Sequence, residues 1–425
     1  MIKDLPELIE AGVISEDTAE KITAYYRDKK ASSSNRLFIV FGILGSLLVG
    51  TGIILMLAHN WDNFSRWQKT LFAFIPLLAG QIWCGFSLFS DRLKGNVTWR
   101  ESSATFLFFA VGACIALIGQ IYNLTGSTES YLLSWMLLSL PLAYIMPSST
   151  VSLLYLIGIT AYGVNADYWY RSVMHQYLYW LLLLFLLPAY YRHLTQKKDS
   201  NFTLFHHWGI ALSLVIMLGS LYKENHQWIL TAVTYACLFG VYGLVGKTSY
   251  FQEKKWIFNS YAIIGLPGML TWCFIGGYKD FWGSVEDALV IDQSPMWIPL
   301  VILLLISGYL FYKIITSDWQ KLQLLDFGGI VFGIAAFSCA VNPAVSATLI
   351  NIYLLATGVQ LVIRGAKKEN LALLNLGLVI VALLIAMRFF DIDMTFALRG
   401  LLFVLLGGGF FMANYWMLKN KKRHE

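Results

Sequence analysis

Apolar residues in this chain come in long unbroken runs, not in the alternation of a strand or the one-faced stripe of a surface helix. Short polar stretches close each run. Fourteen such runs are found, at 37–58, 70–90, 102–122, 131–146, 151–164, 177–191, 206–222, 228–245, 256–274, 296–315, 324–341, 344–363, 371–387 and 399–418. A bilayer core is crossed by about 20 apolar residues in a helix. Backbone groups in hydrocarbon must bond internally, and runs this long without alternation do not make barrel strands, so each run predicts a membrane helix. The expectation is an all-α polytopic bundle of about 14 transmembrane helices, with 12 or ten also compatible. Its parts are a helical tail at 1–36, a first membrane module at 37–164 (about five spans), a second at 165–418 (about nine), and a basic tail at 419–425.

The tail before the first run reads as two short amphipathic helices, with Gly12 ending one and Ser15 capping the next, whose first turn holds Glu16 and Asp17. It lacks the apolar stretch of a secretory signal peptide. A solvated helix at the membrane surface and a docking element for a cytoplasmic partner both fit it. Composition agrees with the pattern: 57% of the 425 residues are hydrophobic and 13% are charged, about half the charge of a soluble domain. A soluble globule is excluded, and little chain is left for a soluble catalytic domain.

Lysines and arginines on short loops orient such a bundle. Placed on alternating sides, only Arg66, Lys69, Arg171, Lys223, Lys279, Arg388 and Arg399 fall opposite the N-terminal tail, which leaves 24 of the 31 basic residues on the tail's side. Both termini are therefore expected in the cytoplasm. The hairpins at Pro147-Ser148-Ser149 and Asn342-Pro343 carry no basic residue in their turns, so charge does not test whether they cross fully. The run at 151–164 is the shortest.

Chemistry is sparse. Cys84, Cys114, Cys237, Cys273 and Cys339 all lie in apolar runs with no C-x-x-C pair, which argues against disulfides and zinc. There is no phosphate-binding loop, zinc-protease motif, nucleophile elbow or dinucleotide fingerprint. The sequence leans against an enzyme, implies no cofactor, and shows no nucleic-acid signature. Trp61, Trp67, Trp169, Trp228, Trp256, Trp282, Trp297 and Trp416 sit at run ends as an interfacial belt would. Pro76, Pro141, Pro188, Pro267 and Pro299 predict kinks, and Gly265-Leu266-Pro267-Gly268 is the best candidate for an unwound helix. Gln81, Gln120, Asn259, Asn351, Gln360 and Asn375 read as buried amides that join helices or line a path. Asp326 reads as a helix cap, and no acidic residue reads as deeply buried.

Three polar clusters on the outward side form the candidate site: His59, Asn60, Trp61, Asp62, Arg66 and Lys69; then Gln120, Tyr122 and Asn123; then Arg388, Asp391, Asp393 and Arg399. Charges near a bilayer core cost about 2.5–3.5 kcal/mol each on insertion scales, so they are paired, wetted or snorkelling. His59 titrates near neutral pH in its unperturbed state. A helix would turn Asp391 and Asp393 about 200° apart, and no metal site is predicted there.

The tail motif Leu8-Ile9-Glu10-Ala11-Gly12-Val13-Ile14-Ser15, then His59-Asn60-Trp61-Asp62 with Lys69, then Gly119-Gln120-Ile121-Tyr122-Asn123 resembles the bacterial predicted membrane proteins of domain-of-unknown-function family 2157, mainly over residues 1–160. Arg388-Phe389-Phe390-Asp391 followed by Arg399-Gly400 resembles the ending of some longer members. The resemblance implies a multi-pass protein of a bacterial inner membrane and brings no activity, cofactor or catalytic residue. Three functions stay open. A permease or flippase-like transporter accounts for most of the pattern, with membrane lipids and a small or lipid-linked ligand as partners. An enzyme of the outer leaflet, acting on a lipid-linked glycan donor, would use Asp62 as a base or metal ligand and Arg66, Arg171, Arg388 and Arg399 as phosphate clamps. A non-catalytic scaffold or envelope-stress sensor would dock through residues 1–36.

Overall fold

Small polar residues at the edges of the apolar runs start the helices by giving the first free N–H groups a partner. The protein is represented by a computed structural model that describes residues 5–23, 40–49, 51, 52, 55, 64–93, 95–169, 177–221, 228–252, 254, 256–283, 297–339, 341–391, 404, 407–409, 411 and 412. Ser65 caps α3 (Arg66–Phe89) in a full capping box with Gln68. Asn96 accepts from Thr98 and Trp99 at the head of α4 (Val97–Ile121), and Ser127 and Ser148 do the same for α5 (Thr128–Ile145) and α6 (Ser149–Gly163). No strand occurs among the described residues.

The chain divides into two compact units, Met1–Gly209 and Ile210–Glu425. In the first, the tail folds as expected: α1 (Leu5–Glu10) ends at Gly12, whose φ is +69°, and Ser15 Oγ accepts from Thr18 N to start a second helical stretch at 16–23. The first run is described as α2 (Val40–Val49). After α3 to α6 come α7 (Leu178–Gln196) and α8 (Asn201–Leu218), within which the division falls. The Trp135 indole of α5 lies against Gly112 of α4 and donates to Phe108 O at 2.8 Å, so a bare glycine surface admits the largest side chain. The run at 151–164, expected to be the shortest, continues as a helix over Ser149–Ala166, which is long and apolar enough to span.

The second unit begins in α8 and continues with α9 (Trp228–Gly246), α10 (Ser249–Gln252), α11 (Ser260–Gly276), α12 (Lys279–Gly283), α13 (Trp297–Asp318), α14 (Gly328–Ser338), α15 (Pro343–Lys367) and α16 (Leu371–Asp391). Asn342 caps α15 with Pro343 in its first turn, where a missing N–H costs nothing. The expected unwinding at Gly265–Gly268 does not occur: α11 is continuous through Pro267. Those glycines instead bring two helices together, since a Cβ at Gly265 would fall 2.9 Å from Phe239 O of α9. Pro76, Pro141 and Pro188 likewise sit inside unbroken helices. The belt reading suits Trp67 and Trp256, both well exposed, but not Trp282, which is fully buried and donates to Gly276 O.

Helices α15 and α16 approach each other closely. A Cβ on Gly377 would lie 2.6 Å from Gly358 O, and one on Gly365 would lie 2.5 Å from Leu374 N. The pair therefore packs backbone on backbone over about two turns, from Gly358 to Gly365. We expect Gly377→Val to cost about 1–3 kcal/mol by overpacking, read as a fall in the unfolding midpoint of the detergent-purified chain. A midpoint unchanged from wild type would show that the helices are not in contact there.

Eight helices among the described residues are long and apolar enough to cross a membrane, and Val40–Val49, Ser260–Gly276 and Leu324–Ser338 are apolar but shorter. Many of their large apolar side chains are exposed, as on a surface that meets lipid. The described residues are helical without strands, and their apolar helices are those of a multi-pass membrane protein.

Candidate functional site

Helix ends carry the polar interior of each unit. In unit 1 the start of α4 places Glu101 beside the turn between α5 and α6. Glu101 is 2% exposed, and its carboxylate accepts from Ser149 N at 2.9 Å, Thr150 N at 3.0 Å and Ser148 Oγ at 2.5 Å. A carboxylate thus sits on the N-terminus of α6, where free N–H groups and the helix dipole both favour negative charge. Lys197, just past the end of α7, donates to Ser149 Oγ at 2.8 Å. Burial pushes the Lys197 ammonium below its ordinary pKa; Glu101 pulls it back up, while Arg100 and Arg192 push it further down.

One turn deeper, Ser152 Oγ lies 2.8 Å from His206 Nε2 and 3.2 Å from His193 Nε2. His206 Nδ1 is 2.6 Å from Phe202 O, and a carbonyl only accepts, so Nδ1 carries the proton and Nε2 of the neutral ring accepts. The single Ser152 hydrogen is shared between His206 Nε2 and Ser149 O, 3.0 Å away, so His193 Nε2 is the donor to Ser152 Oγ and its Nδ1 is left without a hydrogen. That atom is buried and without a partner. The Tyr190 ring stacks on His206, and its Oη lies 2.6 Å from His207 Nδ1.

Unit 2 holds a second buried charge pair. Lys247, just after α9, meets Asp326 at 2.5 Å, and Asp326 also accepts from Gln323 N at 2.6 Å. Asp326 therefore caps its own short turn, Leu324–Phe327, and not α14. Burial lowers the Lys247 pKa, and the Asp326 charge opposes that shift. Around the pair, Asn259 Nδ2 donates to Gly246 O, Gln360 Oε1 accepts from Leu324 N, and Tyr353 Oη donates to Leu324 O. A cavity of about 220 Å³ adjoins the pair, with Gly240, Gly243 and Gly246 in its wall.

Of the residues singled out by sequence, His59, Asn60, Trp61, Asp62, Asp393 and Arg399 lie outside the described residues, and the side chain of Asp391 does as well. Arg66 and Lys69 start α3, and Gln120, Tyr122 and Asn123 end α4. Thr70 Oγ1 lies 3.1 Å from Tyr122 Oη, so the first two clusters meet at one end of unit 1. Asn123, at φ +49°, turns the chain there: its N–H returns to Gln120 O and Leu124 N–H to Gly119 O, a complete Schellman ending. Arg388 belongs to unit 2, where it donates to Gly277 O together with Asn351 Nδ2. Of the amides read as buried, Asn259 is buried and Asn351 and Gln360 are half-buried, all three bonding to other elements; Gln81, Gln120 and Asn375 are exposed, because their helix faces point away from protein.

Two buried acids, Glu101 and Asp326, were not expected from sequence. The signal for the first was present: Arg100-Glu101-Ser102-Ser103 at one run's edge, Pro147-Ser148-Ser149 at another, and His206-His207 opening a third. In the alternating order expected from sequence all of these would fall on the side with the basic loops, as would Lys197, Lys247, Asn259, Asp326 and Gln360. Thr70, Tyr122, Gly277 and Arg388 would fall on the other side. Within each unit, like ends meet like ends.

Residues 6–152, about a third of the chain, match the family model described as "Predicted membrane protein (DUF2157)". The match covers α1 to the start of α6, including Glu101 and its partners Ser148, Ser149 and Thr150. No curated protein and no solved structure matches the chain.

Proposed function

We propose that the protein is a permease or flippase-like transporter of a bacterial inner membrane, with fourteen spans and both termini in the cytoplasm. The observation that carries this reading is the line of buried polar groups Glu101, Ser152, His193 and His206, with half-buried Lys197 at its end, inside a helix bundle. Ionisable groups at membrane depth are costly and are retained where a polar species is handled. The sidedness of the contacts supports the span order, because it pairs ends as an alternating up-and-down path requires. The outward cluster at Arg66, Lys69, Gln120 and Tyr122 is the proposed far mouth, with His59, Asp62, Arg388 and Arg399 as further candidates. Lipids and a small or lipid-linked solute are the proposed partners, and the capped tail is available to a cytoplasmic one.

The test is flux. In proteoliposomes of the full chain, an imposed proton or solute gradient is expected to drive transport above that of protein-free vesicles. Ser152→Ala, equally incorporated, is expected to slow it by breaking the link between the two histidines. Vesicles that move no proton, ion or lipid-linked solute under any gradient would remove this reading.

A further inference from the structure

Beside the Glu101 cluster in unit 1 lies a cavity of about 130 Å³ whose polar lining is Arg100, Ser148, Arg192, His193, Gln196 and Lys197. Its size is below the roughly 300 Å³ at which whole-ligand pockets begin, so it suits a small group or the head of a larger molecule. Three cations face this space. The carboxylate nearest in sequence, Glu101, is committed elsewhere, with its oxygens on Ser148, Ser149 and Thr150. Neither Arg100 nor Arg192 forms an ion pair among the described residues. Lys197 gives one of its three hydrogens to Ser149 Oγ and has two more to offer.

Two further observations call for a ligand. Arg100 Nε is buried with no partner, and a guanidinium N–H can only be satisfied by an acceptor. His193, 5% exposed, lines the same cavity, and its buried Nδ1 is also without a partner. Unmatched buried polar atoms are rare in folded proteins and ask for a cause. A carboxylate would satisfy the arginines but has no hydrogen for a bare Nδ1 at neutral pH. A singly protonated phosphate does both: its oxygens accept from Arg100, Arg192 and Lys197, and its remaining O–H, held at a pH near or below its second pKa of about 6, donates to Nδ1.

We propose that this cavity binds a phosphate-class oxyanion, either as the free ion or as the head group of an amphiphile. The proposal deepens the transport reading and rests on it only in making the anion the cargo. Binding is tested without flux. Radiolabelled inorganic phosphate is dialysed to equilibrium against the full chain in a neutral detergent. In parallel, the chain is placed in nanodiscs of phosphatidylcholine with and without phosphatidic acid, and bound lipid is read by native mass spectrometry.

Saturable binding in the first arm alone identifies the free anion, and enrichment in the second alone identifies the head group. In either arm Arg192→Gln is expected to weaken binding by about tenfold or more, as the loss of a charge-assisted contact would, while Arg192→Lys keeps part of it. Where Arg192→Gln lowers the yield of folded chain, Gln196→Glu at the exposed rim serves instead and is expected to weaken binding by repulsion. No binding in either arm, or binding that these variants leave unchanged, overturns the proposal. Binding without flux removes only the transport reading, and flux without binding removes only this one.

Discussion

Replacing Glu101 by alanine is expected to cost about 3–5 kcal/mol, the range for breaking a buried charged hydrogen-bond network. Three donors lose their acceptor at once: the Ser148 hydroxyl and the N–H groups of Ser149 and Thr150, all of them buried residues. Lys197 loses the negative charge that offsets its burial. Glu101→Gln should recover part of the loss, since its carbonyl oxygen still accepts while its amide group cannot. The measurement is the unfolding midpoint and the yield of folded chain in detergent, taken for both variants. A Glu101→Ala midpoint within error of wild type would show that the α5–α6 turn does not rest on this carboxylate.

The second large effect is an asymmetry. Lys247→Met strands the Asp326 carboxylate, whose side chain is 4% exposed, and should cost about 3 kcal/mol. Asp326→Asn leaves a lysine whose side chain is 23% exposed and can swing its head toward water, so the expected loss is nearer about 1 kcal/mol. The double variant should be no less stable than Lys247→Met alone, because the stranded charge is then gone. Midpoints of the three variants close a double-mutant cycle, whose coupling should exceed about 1 kcal/mol. Equal losses for the two single variants, adding in the double, would mean that the pair does not interact.

The membrane helices were legible because their boundaries are written locally. Ser65, Asn96, Ser127, Ser148 and Asn342 cap helices within a few residues of where the apolar runs begin, and Gly12 and Ser15 act in the tail as read. The buried polar groups left polar residues at the run edges as a signal, but their pairing was not legible, because it is decided by distant chain. Glu101 stands one residue before the run at 102–122 and looks like a solvated end. Its partners come 47 to 49 residues later, on a hairpin whose lack of basic residues kept it out of the charge map. Asp326 looked like a cap because its partner, Lys247, is 79 residues away and on a loop of its own. At Gly265–Gly268 the composition was right and its use was not: small residues with a proline suit an unwound helix, and equally a helix pressed against a neighbour's backbone. The amides divided by helix face, which an all-apolar run with little moment does not reveal.

The long sequence separation within the Glu101 cluster also sets an order of events during biogenesis. α4 leaves the ribosome with its carboxylate at the membrane before the α5–α6 hairpin has been made, and before Lys197 exists. Until that hairpin arrives, water at the interface is the natural partner of the carboxylate, so the head of α4 should stay shallow and sink only when the serines close over it. A nascent chain stalled short of Pro147 would then hold α4 in a position different from its final one, and late capture of an early charge would be a built-in checkpoint on correct assembly.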